Sequence, residues 1–327
     1  MRIGVVVPTY DQYGNAEAIF RLFREAETLG FHSVWLGDHI VVPTYAAKYT
    51  DPHWFEAMTC AIAGIGMTTK LSFGTDVLVA PYRNPVLLAK MAATAVELSG
   101  GRIMLGMGVG FIKGEFAAVG APPIARRGAV TDEYLKVMRT LFESDGAVSS
   151  HGEWINFDDI HFGPRPSAPP PLLVGGNRDR AHVRAALFGD GWHPLFPSPN
   201  DYARGRSRIA EIREEAAVNR RFTYSYSAGR TRVLAPRETA PPIVTRDGDI
   251  PEDYSYAPPP DVTADGRPRL VGTAAQLSED IGELAEAGVE QLIVRFAMPW
   301  DPEINLDRHI EQMQRFAADV LPICAGL

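Results

Sequence analysis

The sequence predicts a (β/α)8 barrel, and three observations favour this fold. Eight strand-length segments alternate with helical segments along the whole chain, as in barrels and related α/β folds. No change in composition marks a second domain or the reversal point of a doubly wound sheet, so we expect one domain over residues 1–327. A plain barrel takes about 250 residues, and the surplus fits insertions after the fourth and seventh strands.

The strands are predicted from short apolar runs rich in β-forming residues and bounded by Gly, Pro or Asp. They are Ile3–Val7, Val34–Leu36, Leu71–Ala80, Arg102–Met107, Leu172–Val174, Asp190–His193, Phe222–Leu234 and Gln291–Phe296. The helices follow from apolar residues at helical spacing and from caps such as Asn84-Pro85 and the Thr273/Gln276 capping box. They are predicted over 15–29, 52–67, 84–98, 127–142, 177–188, 202–218, 273–284 and 306–321.

Two irregular segments interrupt this alternation. Residues 147–171 contain two short strand-like runs around Gly152, which predict a small hairpin before a proline-rich connector. Residues 236–268 carry two proline runs and little apolar content. We interpret this second insertion as a long excursion or a partly mobile lid rather than a domain.

Composition excludes several classes of protein. The net charge of −8 argues against a nucleic-acid or anionic-membrane partner. Only Cys60 and Cys324 are present, so neither a disulfide framework nor a cysteine metal cluster is expected. The chain has no signal-peptide pattern and no apolar run long enough to span a membrane, so we expect a cytoplasmic protein.

The second predicted strand ends on an acid and a base, Asp38 and His39. Barrel active sites lie at the carboxyl ends of the strands, and a titratable pair there suits proton transfer. We therefore interpret His39 as a candidate proton donor or acceptor and Asp38 as the acid that tunes it. The alternative is that Asp38 caps the following loop while His39 only lines it.

Two glycine clusters follow strands. The cluster at 106–110 fails the dinucleotide fingerprint because Phe111 and Lys113 occupy positions that require glycine. Its small residues either let a flat ring or phosphate approach the backbone or form a tight turn. Gly175-Gly176-Asn177 lies between a strand and a helix N-terminus, which favours an anion site; a short loop with an Asn cap is the equal alternative.

Metal and serine-hydrolase sites are not indicated. The histidines form neither H-x-H nor H-E-x-x-H, and no G-x-S-x-G is present. Trp54, Phe111 and Trp192 adjoin strand ends and are candidates for the walls of a substrate pocket, although isolated aromatic residues are more often core. Glu115 and Arg127 flank the loop after the fourth strand and are candidates to pair across it.

Motifs along nearly the whole chain, except residues 236–268, form an ordered set. They are Val34-Trp-Leu-Gly-Asp-His39, Leu71-Ser-Phe-Gly-Thr75, Asn84-Pro85 with Ala89-Lys90, Leu98-Ser-Gly-Gly-Arg102, Leu105-Gly-Met-Gly-Val-Gly110 with Glu115-Phe116, Val174-Gly-Gly176 and Gly189-Asp-Gly-Trp192. This set resembles the bacterial luciferase-like oxidoreductases, and it is most similar to the branch that uses coenzyme F420.

The resemblance implies a barrel that holds a flavin or deazaflavin at its C-terminal mouth. It implies that His39 is the active-site histidine and that Asp38 is its acidic neighbour near the ring. Thr75, Asp76 and Val77 fall on a bulge that backs the ring, where the resemblance predicts a cis peptide bond between Asp76 and Val77.

The expected cofactor contacts continue after later strands. Gly175 and Gly176 fall where relatives hold the cofactor phosphate, and Gly108 and Asn177 complete the predicted set. Phe111 replaces a catalytic Glu of some F420 sugar dehydrogenases, and Val109 replaces a phosphate-binding Arg of luciferase, so neither of those reactions is expected.

The leading hypothesis is an F420-dependent oxidoreductase that transfers hydride between the deazaflavin and a small organic substrate. The first alternative is an FMN-dependent monooxygenase that uses molecular oxygen and reduced flavin from a separate reductase. The second is a non-catalytic flavin-binding or storage protein, which would not require an acid–base pair. A homodimer is expected from the resemblance alone.

Overall fold

The computed structural model describes residues 1–47, 50–239, 261–298, 305–324 and 326, and its core is a closed barrel of eight parallel strands. The described strands, inside and outside the barrel, are β1 (Arg2–Val6), β2 (Ser33–Leu36), β3 (Ser72–Thr75), β4 (Leu78–Val79), β5 (Ile103–Gly108), β6 (Val148–His151), β7 (Asn156–Ile160), β8 (Leu172–Gly175), β9 (Gly191–His193), β10 (Thr223–Arg230), β11 (Arg232–Val233), β12 (Val271–Gly272) and β13 (Gln291–Arg295). The predicted (β/α)8 fold is confirmed.

The helices lie around this barrel and connect its successive strands. They are α1 (Ala16–Thr28), α2 (Ala57–Met67), α3 (Pro85–Ser99), α4 (Lys113–Ala118), α5 (Arg127–Glu143), α6 (Asp179–Phe188), α7 (Pro199–Glu215), α8 (Ala274–Glu286), α9 (Leu306–Asp319) and α10 (Leu321–Cys324). The predicted caps Asn15, Asn84 and Thr273 all accept backbone N–H groups, and Thr273 forms the full capping box with Gln276.

Parallel pairing between neighbouring strands closes the barrel into a ring. The neighbours run β3-β2-β1-β13-β10-β9-β8-β5, and β3 pairs with β5 to complete the ring. The predicted third strand is interrupted between β3 and β4 at Asp76 and Val77, and both parts pair with β5. Because all eight strands run in parallel, their carboxyl ends meet at one mouth.

Three element boundaries differ from the predictions. The helix expected from Pro52 starts at Ala57, because Glu56 caps it by accepting the N–H groups of Met58 and Thr59. The expected seventh strand is split into β10 and β11, and β11 pairs with β12 outside the barrel. Helix α7 starts at Pro199, since Ser198 is a suitable N-cap that precedes a proline.

The barrel interior is built around Trp35. A Cβ on Gly4 would lie 2.6 Å from the Trp35 indole nitrogen, and one on Gly74 would lie 2.5 Å from its ring. Only glycine therefore fits at these two positions, which lie on the neighbouring strands β1 and β3. The indole N–H donates to Ser33 at 2.8 Å. His193 stacks on the other part of the ring, with centroids 4.7 Å apart. The floor of the mouth is therefore tightly packed.

The first insertion forms the predicted hairpin. Strands β6 and β7 pair antiparallel, and the Glu133 carboxylate on α5 accepts the backbone N–H groups of Glu153, Trp154 and Ile155 at 2.8–2.9 Å. These three bonds fix the hairpin tip to the barrel.

Of the second insertion, residues 240–260 lie outside the described residues. Its returning end is anchored to α8, where Arg267 forms two hydrogen bonds to Asp280 at 2.7 and 2.8 Å. Among the described residues, no helix is long and apolar enough to cross a membrane. The single domain over residues 1–327 and the cytoplasmic homodimer stay predictions.

His309 gives the fold a testable dependence on pH. It is fully buried on α9, neither ring nitrogen has a hydrogen-bond partner, and burial lowers the pKa of its imidazole to about 3. A depressed folded-state pKa means that the neutral ring contributes stability above the unfolded-state pKa of about 6.5. That stability falls as the pH drops from about 6.5 toward 3, by as much as roughly 4–5 kcal/mol.

We expect His309→Leu to lose less stability than the wild type between neutral pH and pH values near 4, because Leu cannot bind the proton. Denaturant unfolding at a series of pH values measures this difference. His151→Leu is the control, since His151 is 70% exposed and should leave the slope unchanged. Equal slopes for wild type and His309→Leu would contradict the prediction.

Candidate active site

His39 lies in the loop after β2, at the mouth of the barrel. Its side chain is 15% exposed, and its Nδ1 lies 3.1 Å from Oε2 of Glu115. The Trp54 ring meets the imidazole edge-on at 4.7 Å, and the Phe111 ring does so at 6.5 Å. The structure thus brings together three of the residues predicted for the site.

Glu115 is a functional candidate whose partner was predicted wrongly. It is 1% exposed, and it binds His39 and Tyr82 rather than pairing across the loop with Arg127, whose guanidinium donates to the Ile124 carbonyl. Burial and then the charge of Glu115 raise the pKa of the Tyr82 hydroxyl, which donates to Glu115 at 3.0 Å. The signal in the sequence was an acid in the otherwise apolar Glu115–Ala118 turn.

Asp38 does not contact His39 in the way predicted. Its carboxylate accepts two hydrogen bonds from Arg83, both at 2.7 Å, and one from the Val79 N–H at 2.9 Å. Arg83 also binds Glu56. Arg83 thus engages both oxygens of Asp38, and the carboxylate that lies beside His39 is that of Glu115.

Asp76 occupies the centre of the mouth, and the cis peptide predicted between Asp76 and Val77 is confirmed. Its buried carboxylate binds His193 Nε2 at 2.8 Å, Ser227 Oγ at 3.1 Å and Arg295. Burial alone would raise the pKa of this carboxyl, but the Arg295 charge and the hydrogen bonds from His193 and Ser227 outweigh it and lower the pKa. Neither Arg295 nor His193 was predicted to lie here, because both are far from Asp76 along the chain.

The Val77 side chain leaves room only for small residues at the neighbouring strand positions. A Cβ on Gly108 would lie 2.5 Å from one Val77 methyl, and one on Gly175 would lie 3.3 Å from the other. Thr75 donates its hydroxyl to the Gly106 carbonyl at 2.9 Å, and a Cβ on Gly106 would meet the Thr75 carbonyl oxygen. The glycines of the fourth and fifth barrel strands therefore make room for the Thr75–Val77 bulge, a reason that spacing alone did not reveal.

Gly176 and Asn177 shape the loop before α6. Gly176 has φ +117°, a conformation that favours glycine. The Asn177 amide bridges to both the N–H and the carbonyl of Leu195, at 3.0 and 2.7 Å. The N-cap residue Arg178 makes no side-chain cap, and its carbonyl accepts the N–H of Ala181 at 2.7 Å. The N–H groups that precede Ala181 in α6 have no capping side chain and suit an anion such as phosphate.

Trp192 is not a wall beside His39. It is 1% exposed, stacks on Tyr202 at 4.9 Å and donates its indole N–H to the Gly176 carbonyl at 2.8 Å. It instead forms the base of a groove of about 560 Å³ between α6 and α7, which Asn177, Phe196, Arg204 and Arg208 also line. Large aromatics near strand ends are as often core as pocket, and Trp192 is core with one edge on the groove.

The site carries no metal-binding arrangement within the described ranges, because no group of three or more His, Cys, Asp or Glu side chains could hold a metal ion there.

Comparison with known proteins identifies the family. Residues 1–291 match the family model of the luciferase-like monooxygenases. The chain belongs to this family. Its members include F420- and FMN-dependent enzymes, and the protein is an oxidoreductase.

Three relatives illustrate the range. An uncharacterized protein of Mycobacterium tuberculosis is 32% identical over 213 residues, covering 62% of this chain and 73% of that protein. The F420-dependent glucose-6-phosphate dehydrogenase of Amycolatopsis mediterranei is 31% identical over 56% of this chain and 54% of its own length. The FMNH2-dependent dimethylsulfone monooxygenase of Pseudomonas fluorescens is 24% identical over 94% and 86%.

A solved structure supports the fold. An F420-dependent secondary alcohol dehydrogenase, in complex with an F420–acetone adduct, superposes with a TM-score of 0.75 at 20% identity, over 98% of both chains. At that identity the likeness concerns the fold.

The Asp76–Arg295 pair generates a stability prediction. Asp76→Asn keeps the size of the side chain but leaves the largely buried guanidinium of Arg295, 14% exposed, without its counter-charge. We expect a loss of roughly 3–5 kcal/mol, the range for breaking a buried ion pair, measured by denaturant unfolding at neutral pH. Asp307→Asn is the control: its pair with Arg21 is exposed and should change stability by less than about 1 kcal/mol. Equal losses in the two variants would refute the structural role of Asp76.

Proposed function

We propose that this protein is an F420-dependent oxidoreductase that transfers hydride between the deazaflavin and a small organic substrate, with His39 exchanging the proton. The observation that carries the proposal is the setting of His39. One ring nitrogen is held by the buried Glu115 carboxylate, and Trp54 and Phe111 flank the ring at the mouth. A histidine with one occupied and one available nitrogen suits general acid–base work.

Each residue has a definite part in this proposal. His39 Nε2 takes a proton from a substrate hydroxyl or returns one to a carbonyl. Trp54 and Phe111 pack against the apolar part of the substrate and keep water away from it. The bound deazaflavin supplies the carbon that accepts or donates the hydride.

The region around Gly176 supports F420 over FMN. The start of α6 has no capping side chain, which suits a phosphate, and Arg204 and Arg208 line a groove that also includes Asn177. FMN ends at its phosphate, whereas F420 continues from its phosphate into an acidic side chain. Each arginine already pairs with a neighbouring carboxylate at the surface, so an acidic chain in the groove would share these exposed cations.

An FMN-dependent monooxygenase is the second candidate. It is favoured by the match to the dimethylsulfone monooxygenase over 94% of this chain. That reaction would require molecular oxygen and a reductase that supplies reduced FMN. A storage protein is a weaker candidate, because storage gives no use to a histidine held by a buried carboxylate.

Separate titrations of the apoprotein with F420 and FMN test the choice of cofactor. We expect F420 to bind tightly and FMN weakly. We further expect His39→Ala to keep F420 affinity within a few-fold while turnover falls on the order of 10²- to 10⁴-fold, because only the proton transfer is lost.

His151→Ala is the matched control, since that histidine is 70% exposed on the hairpin. Tight binding of FMN with none of F420 would overturn the first choice. Undiminished turnover in His39→Ala would overturn its assigned role, and an absence of any turnover would favour storage.

The groove gives a second test. Arg204 and Arg208 are 74% and 44% exposed, so each contact with an anionic chain should be modest and screened by salt. We expect the double change Arg204→Ala and Arg208→Ala to weaken F420 binding roughly 3- to 10-fold at low salt. Binding of the deazaflavin riboside, which lacks the phosphate and acidic chain, should not change. Arg126→Ala, at the start of α5 and paired with Glu153 of the hairpin, is the control. Equal weakening of both ligands would contradict this use of the groove.

A further inference from the structure

The carboxylate of Glu115 is held by donors from two parts of the chain, residues 39–41 and Tyr82. Its Oε1 accepts the backbone N–H groups of Ile40 at 2.6 Å and Val41 at 3.3 Å. Its Oε2 faces the Tyr82 hydroxyl at 3.0 Å and His39 Nδ1 at 3.1 Å. Three of these four donors are independent of the imidazole, so the position of the carboxylate does not depend on His39.

This arrangement decides which nitrogen of His39 carries the proton. An ionised carboxylate only accepts hydrogen bonds, so Nδ1 must be the N–H of the neutral imidazole. Nε2 then has the free lone pair and is the atom that can accept a proton. The tautomer of a histidine is set in this way by the partner of its other nitrogen.

We propose that Glu115 is a positioning residue that fixes His39 in the Nδ1–H tautomer and, through Ile40 and Val41, holds the loop that carries it. Tyr82 donates to the same carboxylate oxygen that faces His39 and helps to hold it in place. The kinetic consequence rests on the proposed function, but the tautomer does not, because it requires neither cofactor nor substrate.

The isosteric change Glu115→Gln makes a sharp prediction. The N–H groups of Ile40 and Val41 need an acceptor, so they hold the amide oxygen of Gln in the place of Oε1. The amide NH2 group must then face His39 and donate to Nδ1. The neutral imidazole is forced into the Nε2–H tautomer, and Nε2 can no longer accept a proton.

Nitrogen NMR of the apoprotein with labelled histidine measures the tautomer directly. The His39 signals are assigned by their loss in His39→Ala. We expect Nδ1–H in the wild type and Nε2–H in Glu115→Gln. Tyr82→Phe is the matched control, because it removes a donor from the same oxygen but keeps the carboxylate, and it should retain Nδ1–H. An Nε2–H tautomer in the wild type overturns the inference without any variant, and an unchanged tautomer in Glu115→Gln does so as well.

Kinetics with F420 separate this inference from the proposed function. We expect Glu115→Gln to lower kcat on the order of 10²- to 10⁴-fold, as for a catalytic histidine held in the wrong tautomer, with KM changed by less than a few-fold. A tautomer that switches without a fall in kcat would overturn the positioning role. Wild-type protein that shows the expected tautomer but turns over nothing with F420 would overturn the proposed function and leave the tautomer assignment standing.

Discussion

The buried carboxylate of Asp76 is the interaction on which the mouth of the barrel depends. It follows the third strand and binds His193, Ser227 and Arg295 from the sixth, seventh and eighth strands. An ionised carboxylate without water is tolerated only when opposite charge and hydrogen bonds replace its solvation. The Asp76 carboxylate therefore connects four of the eight strand ends. His193 also stacks on Trp35 in the barrel interior, so the carboxylate and the packed interior share one side chain.

A second constraint is the separation of the acids near His39. Asp38 and Glu56 share the cation of Arg83, whereas Glu115 is shared by His39, Tyr82 and two backbone N–H groups. The donors of Asp38 and Glu56 are therefore separate from those of Glu115, and among the described residues the imidazole meets the Glu115 carboxylate through Nδ1.

Local patterns were sufficient to predict the barrel, most of its caps and the mouth position of Asp38 and His39. Apolar runs, helical spacing and Asn or Thr caps are properties of short segments, so they can be predicted from a single sequence. The partner of His39 could not be predicted, because Glu115 lies 76 residues away and reaches the imidazole only once strands two and four lie on either side of strand three. Asp38 illustrates the same limit, since its cation Arg83 becomes visible only after the third strand has been placed.

The glycines show that packing can require a small residue at a position predicted as a cofactor contact. Gly108 and Gly175 were predicted from their spacing as ring or phosphate contacts, yet their lack of a Cβ is already required by the methyl groups of Val77. Trp192 likewise follows a strand end but is buried against Tyr202. Steric demands of this kind arise from packing across the barrel, which residue spacing along one segment does not encode.

In the proposed reaction, His39 exchanges a proton while a deazaflavin exchanges a hydride with the substrate. An anaerobic single turnover of the F420-loaded protein with a panel of small alcohols, followed through the deazaflavin chromophore, tests this reaction directly. We expect the chromophore to be reduced without oxygen and the reduction to be lost in His39→Ala. Failure of every alcohol to reduce bound F420, together with oxygen consumption by the protein loaded with reduced FMN, would contradict it.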